Sequence, residues 1–151
     1  MYLSKSCIYA IRSSLYLAAE KDKKFVSISE ISKLLNIPFH YLTKILQTLT
    51  HSGLVVSTKG PHGGVSLNKP ADKISIYDII FAFCGENIFS QCSLGLDECS
   101  NENPCIMHDI CYETRRVLLL NMKKKSLQEV ADNMIKTNFK LTNPAKNTAY
   151  F

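Results

Sequence analysis

Residues 27–67 constrain the chain more tightly than any other stretch, because two short amphipathic helical periods stand back to back and a hairpin follows at once. Ser27 and Glu30 form a capping box that opens a helix with Ile28, Ile31, Leu34 and Leu35 facing inward. Asn36-Ile37-Pro38 breaks it, and Pro38 suits the first turn of the next helix. That helix runs to about His51, with Leu42, Ile45, Leu46 and Leu49 on its inner stripe and Gly53 as its stop. Leu54-Val55-Val56-Ser57 and Val65-Ser66-Leu67 read as two strands, separated by Thr58-Lys59-Gly60-Pro61-His62-Gly63-Gly64. Two helices joined by a tight turn and followed by such a hairpin have the order of a winged helix-turn-helix.

The flanking sequence adds helices. Ser4 caps a first helix running to about Lys21, with Ile8, Ile11, Leu15 and Ala18 or Ala19 at helical spacing. Ser75 caps another over Ile76, Ile79, Ile80 and Phe83, ending near Gly85. Residues 85–105 read as an irregular loop, and a loop of that length in a compact chain is usually functional or disordered; its cysteines favour function. Residues 106–123 predict a long helix carrying Ile106, Ile110, Val117, Leu118, Leu119, Leu120 and Met122. Its second half is apolar around most of its circumference, which predicts burial on more than one side. Ser126 and Glu129 make a second capping box for a helix through about Lys136. The expected fold is therefore mainly α with a small β-hairpin wing. A winged helix-turn-helix occupies 1–73, a cysteine loop and further helices 74–137, and a flexible tail 138–151.

Composition narrows the function. With 151 residues and 46% hydrophobic side chains, the chain can bury a core and is not disordered. No apolar run approaches the roughly 18 residues of a membrane span. Met1-Tyr2-Leu3-Ser4-Lys5 leads into no signal-peptide pattern, so a soluble cytoplasmic protein with no membrane partner is expected. Residues 1–75 carry ten Lys and Arg against four Asp and Glu, whereas residues 76–151 carry eight against nine. A basic amino-terminal half suits a phosphate-backbone binder. Opposite the apolar stripe of the second helix-turn-helix helix lie His40, Thr43, Lys44, Gln47 and His51, none of them acidic. Its amino-terminal part selects His40, Tyr41, Thr43 and Lys44 as base-reading candidates, with Gln47 for groove or phosphate contact. At the hairpin tip, Lys59, Gly60, His62 and Gly63 allow close backbone approach to double-stranded DNA. There are no paired carboxylates, no nucleophile–base motif and no phosphate-binding glycine loop leading into a helix, so no enzyme is expected.

The six cysteines divide unevenly: Cys7 stands alone, and Cys84, Cys92, Cys99, Cys105 and Cys111 fall within 28 residues. Without a secretory signal, a metal site or reactive thiol is the better reading than a disulfide framework. Cys92, Cys99 and Cys105, with His108 three residues further on, make a thiolate-rich ligand set of the kind iron–sulfur clusters take. Zinc accepts the same residues, although no Cys-x-x-Cys pair is present. A metal-free thiol switch is a further reading. Cys111 is an alternative fourth ligand, while Cys7 and Cys84 suit apolar helical positions.

Tyr41-Leu42-Thr43-Lys44-Ile45-Leu46, Gly53-Leu54-Val55 and Ser57-Thr58-Lys59-Gly60-Pro61-His62-Gly63-Gly64-Val65-Ser66-Leu67 resemble the winged-helix core of the IscR/NsrR/CymR family of bacterial transcription regulators. Leu3-Ser4-Lys5 with Tyr9-Ala10-Ile11 is similar to that family's first helix. The resemblance implies a homodimer on a roughly palindromic operator, with the long carboxy-terminal helix packed against its partner. For Cys92, Cys99, Cys105 and His108 it implies an iron–sulfur cluster, with [2Fe–2S] ahead of [4Fe–4S] and zinc behind both, and relatives that recruit a ligand from the first helix make Cys7 an alternative fourth ligand beside Cys111. Such a regulator would sense cluster status, redox state or nitric oxide. The alternative is a metal-free or zinc-containing repressor of the same family answering a metabolite or thiol oxidation. Lys59 stands where the family usually has Arg, which keeps phosphate attraction but loses bidentate recognition of guanine. Val65 replaces a common aromatic, and the gap between Cys92 and Cys99 is one residue longer than in the cluster-binding branch.

Overall fold

The computed structural model describes residues 3–61, 63–138 and 140–141. Helix α1 (Lys5–Ala19) is followed by α2 (Ile28–Leu35), α3 (Phe39–His51), strands β1 (Val55–Thr58) and β2 (Gly64–Leu67), then α4 (Ile76–Cys84), α5 (Asn87–Ser90), α6 (His108–Lys124) and α7 (Leu127–Lys136). The mainly helical fold with one antiparallel hairpin is the expected winged helix. Its pairing register runs from Val55 opposite Leu67 to Thr58 opposite Gly64.

Helix α1 begins at the expected cap, where the Ser4 side chain accepts from the Cys7 amide. Its core face includes Leu15 and Ala18 of the expected stripe but extends beyond it to smaller side chains. Cys7, Ala10, Ser13, Ser14, Leu15, Leu17 and Ala18 are buried, while Ile8 and Ile11 are only partly so. Small side chains let α2, α3, α4 and α7 all close onto this one helix. Ser13 tolerates burial because its hydroxyl donates to the Tyr9 carbonyl at 2.7 Å.

The helix-turn-helix follows its sequence closely. Asn36, in the left-handed conformation at φ 52°, ends α2, and Pro38 precedes the first residue of α3. Leu42, Ile45, Leu46 and Leu49 are all buried. The capping box at Ser27 is only half formed. Ser27 Oγ accepts from the Glu30 amide at 3.1 Å, but the Glu30 carboxylate accepts instead from Tyr16 at 2.7 Å and Lys23 at 2.5 Å. Leu34, expected inside, is 41% exposed, since Ile31 and Leu35 already fill the core face of this two-turn helix.

The wing is attached to the head by backbone. Val26 and Val65 exchange two 2.9 Å hydrogen bonds, and Gly64 lies so close that an added Cβ would overlap the Val26 carbonyl. Past a single 3-10 turn at Ala71–Lys73, complete capping boxes at Ser75–Asp78 and Ser126–Glu129 start α4 and α7. Leu127 donates to the Ile74 carbonyl at 2.8 Å, and Ile76 to that of Lys125 at 3.1 Å, which clasps the two helix starts together.

Helix α6 departs most from expectation. It begins at His108 rather than Ile106, and Arg115 is its one buried side chain among the described residues. Ile110 is 63% and Val117 52% exposed, because within one chain α6 packs chiefly on α4 and α5 and has neighbours on one side only. The loop of residues 85–105 contains the one-turn helix α5. Most of the expected tail lies outside the described residues. Among those described, no helix is long and apolar enough to cross a membrane.

Replacing Gly64 by Ala sets a Cβ against the Val26 backbone and is expected to destabilise the protein by about 1–3 kcal/mol. Thermal unfolding followed by circular dichroism reads this as a midpoint several degrees lower; an unchanged midpoint would mean that the wing is free to move off Val26.

Candidate nucleic-acid interface and metal centre

The outer face of α3 presents His40, Lys44, Gln47 and His51 to solvent, and Lys59 and Gly60 stand exposed at the wing tip. Gly60 adopts φ +113°, and the Gly63 amide donates to its carbonyl at 2.9 Å, closing the tip around glycines. An added Cβ on Gly63 would overlap the Thr58 carbonyl. His62 lies outside the described residues. Between α3 and the wing runs a cleft of about 470 Å³ bordered by Phe39, Thr43, Gln47, Thr58 and Lys59. Two candidates sit differently from the outward face. The Tyr41 hydroxyl is 2.6 Å from Ser6 Oγ and its ring packs edge-on against Tyr9, so it ties α3 to α1. The Thr43 hydroxyl donates back to the Phe39 carbonyl at 2.9 Å.

The second site forms where the loop after α5 meets the start of α6. Tight turns fold it: Gly95 donates to the Cys92 carbonyl at 3.1 Å, Cys99 to that of Leu96 at 3.2 Å, and His108 to that of Cys105 at 2.9 Å. Together they bring the sulfurs of Cys92, Cys99 and Cys105 within 4.8 Å of one another. Cys92 and Cys105 Sγ are 3.8 Å apart, and His108 Nδ1 is 3.2 Å from Cys99 Sγ.

This donor set fits a metal or cluster. His108 Nε2 is 3.0 Å from Asn101 Oδ1, and an Nε2–H donated there leaves Nδ1 its lone pair beside the thiols. The ring also stacks on Tyr112 at 6.3 Å, which fixes its plane. Amides of Leu96 and Leu94 donate toward Cys92 and hold its thiol down at about 7, although burial pulls the other way. The Met107 amide favours the Cys105 thiolate, but burial and the neighbouring Cys99 and Cys92 sulfurs outweigh it and raise that thiol above its ordinary value.

The alternative ligands stand apart from this group. Cys7 is fully buried in the core, and burial, with Cys84 as its neighbour, pushes its thiol up to about 12. Cys111 lies on α6, outside the converging sulfurs. Two participants were not legible in the sequence. Asn101 orients His108 from within the loop. Arg115, buried without a carboxylate partner among the described residues, donates from Nε to the Cys111 carbonyl at 3.1 Å and from Nη1 to that of Gln91. It thereby anchors the residue before Cys92 to α6. Its spacing of four from Cys111 was the only sequence signal.

A family model, described as Rrf2, iron-dependent transcriptional regulator, matches residues 3–133. A protein of Aquifex aeolicus described as an HTH-type transcriptional regulator is 41% identical over 110 residues, covering 72% of this chain and 76% of its own. The transcriptional regulator NsrR of Halalkalibacterium halodurans is 31% identical over 141 residues, covering 88% and 92%. Among solved structures, CymR, the global cysteine regulator of B. subtilis, matches with a TM-score of 0.74 at 22% identity, over 88% of this chain and 98% of that one. IscR of T. potens matches with 0.72 at 18% identity, over 100% and 97%. At these identities the two structures speak for the fold alone.

In protein stripped of metal, Cys92 is expected to react first with iodoacetamide, because the thiolate is the nucleophile. Its rate should rise with pH through a midpoint of about 7, as deprotonation of a lowered thiol requires, while buried Cys7 stays unlabelled until unfolding. Peptide mapping after pulsed labelling checks this; faster labelling of Cys105 would contradict it.

Proposed function

Because this chain belongs to the Rrf2 family of DNA-binding transcriptional regulators, we propose that it works as a homodimer on a roughly palindromic operator, with Cys92, Cys99, Cys105 and His108 holding an iron–sulfur cluster. The observation that carries this reading is the convergence of three cysteine sulfurs within 4.8 Å, with His108 Nδ1 3.2 Å from one of them, outside the winged helix. In this reading the cluster, [2Fe–2S] ahead of [4Fe–4S], supplies a centre that responds to iron–sulfur status, redox state or nitric oxide.

The chain's own residues do the coupling. Cys92 enters the site directly after α5, braced through Gln91 by Arg115, while His108 opens α6. Ligation by residues at both ends ties α6 to the α4–α5 segment. Helix α4 packs on α1, and α3 rests on α1 as well, so a change at the loop has a packed route to the DNA-reading head. The dimer reading is supported by Ile106, Ile110, Val117 and Leu120, which are between 44% and 97% exposed on or beside α6. A second copy of the helix would cover them. At the DNA, His40, Lys44 and Gln47 would enter the groove, and Lys59, Gly60, His62 and Gly63 would approach the backbone, with Tyr41 and Thr43 at the edge of the contact.

The same donor set supports a second reading, a zinc-containing repressor answering a metabolite or thiol oxidation. A separation of 3.8 Å between Cys92 and Cys105 suits two ligands of a single tetrahedral ion, whose Zn–S bonds are about 2.3 Å.

Duplexes selected from a randomised pool test the function. Affinity for them should fall steeply with salt, and Lys59→Ala should reduce the slope of log K against log salt by about one per half-site. Serine at Cys92, Cys99 and Cys105 together is expected to change duplex affinity at least tenfold relative to the cluster-loaded protein. Equal affinities under oxidising, reducing and nitric-oxide-treated conditions would contradict the sensing role and leave DNA binding intact.

A further inference from the structure

The face of α3 that borders the wing carries an apolar feature with no role in the core. Phe39, the first residue of α3, is 46% exposed beside the cleft between helix and hairpin. Its ring stands in a T-shaped arrangement with the His40 imidazole at 5.7 Å. One turn on, the Thr43 hydroxyl donates to Phe39's own carbonyl, so its hydrogen is committed, and both residues border the same cleft. Thr50 and Thr48 make the same backward bonds, to Leu46 at 2.8 Å and Lys44 at 3.2 Å. The Tyr41 hydroxyl pairs with Ser6 Oγ. The threonine hydroxyl hydrogens of α3 are therefore spent within the protein, and what its wing-facing amino-terminal edge offers a duplex beside His40 is an apolar step.

We propose that Phe39, with the γ-methyl of Thr43, reads the 5-methyl group of thymine in the operator. The amino-terminal end of the second helix is the part that a helix-turn-helix presents to base edges. In the major groove the thymine methyl is the apolar group on those edges, and phenylalanine and threonine methyls are among the side-chain groups that contact it. Lys59 borders the same cleft as Phe39, and Lys44 stands exposed on α3, so positive charge is available to phosphates while the base edge is left to the ring. The inference deepens the operator-binding reading and rests on it. It fixes one position of an otherwise unspecified operator as thymine, once in each half-site.

The experiment uses the full chain, purified without oxygen, and duplexes selected from a randomised pool. Each thymine of the selected duplex is replaced in turn by deoxyuridine, which removes only the methyl group. At one symmetric pair of positions, wild-type affinity should fall about fourfold per half-site, the value expected for losing one buried methyl. Phe39→Ala should bind the thymine and deoxyuridine duplexes equally well, and Phe39→Leu should keep part of the difference. Circular dichroism melts and salt dependence should match wild type, since Phe39 is outside the core. A wild-type protein insensitive to deoxyuridine at every thymine, or a Phe39→Ala protein as sensitive as wild type, overturns the proposal. Failure of operator binding itself would show differently, as a pool that yields no selected sequence.

Discussion

Helix α1 is the element on which the other parts of the molecule rest. Its buried face is built from Cys7, Ala10, Ser13, Ser14 and Ala18, with larger leucines only near its end. Side chains this small let helix backbones approach closely, and four further helices use the opportunity. Helix α3 leans on it through the core and through the Tyr41–Ser6 and Tyr41–Tyr9 contacts, so the orientation of α3 is set by α1. Helices α4 and α7 pack along the same helix, and α4 leads directly to the cysteine loop. The head and the loop thus share one support, which is the physical basis for the coupling proposed between them.

The cysteine loop is held by different means. Most of its side chains are exposed, and hydrogen-bonded turns rather than an apolar core give it shape. Its sulfurs nevertheless converge, with the Cys92 thiol lowered to about 7 and the Cys105 thiol raised. Closely spaced thiols resist joint deprotonation unless a cation shares them, so ligand binding and loop order are linked. Arg115 and Asn101 supply fixed points on either side: one anchors the approach to Cys92, the other sets the His108 ring. The exposed apolar residues on and beside α6 place the proposed dimer surface next to this loop, where changes in ligation and in subunit packing would meet.

Much of this was legible in the sequence because it depends on local rules. The stripe on α3, the helix break at Asn36, the glycine-rich tip and the Ser75 and Ser126 caps each follow from a few adjacent residues. The Cys92, Cys99, Cys105 and His108 group was equally visible from residue type and order. Hydropathy was only part of the account on α1: Leu15 and Ala18 are buried as expected and Ile11 packs at the core's edge, but Cys7, Ala10, Ser13 and Ser14 fill the centre, where close helix contact rewards small size over apolarity. It misled on α6, whose apolar residues are not buried by the single chain. Asn101, Arg115 and the committed hydroxyl of Thr43 depend on contacts or rotamers that residue spacing does not encode. Phe39 reads from sequence as one more apolar residue at a helix start, and only its exposure beside the wing sets it apart.

The central claim, that the converging cysteines hold an iron–sulfur cluster, is tested most directly by the visible absorption spectrum of protein purified without oxygen, with iron and acid-labile sulfide assayed on the same sample. The account predicts a coloured protein with iron and sulfide in matching amounts, and loss of both when Cys92, Cys99 and Cys105 are replaced by serine. A colourless protein carrying zinc, or no metal at all, would contradict it.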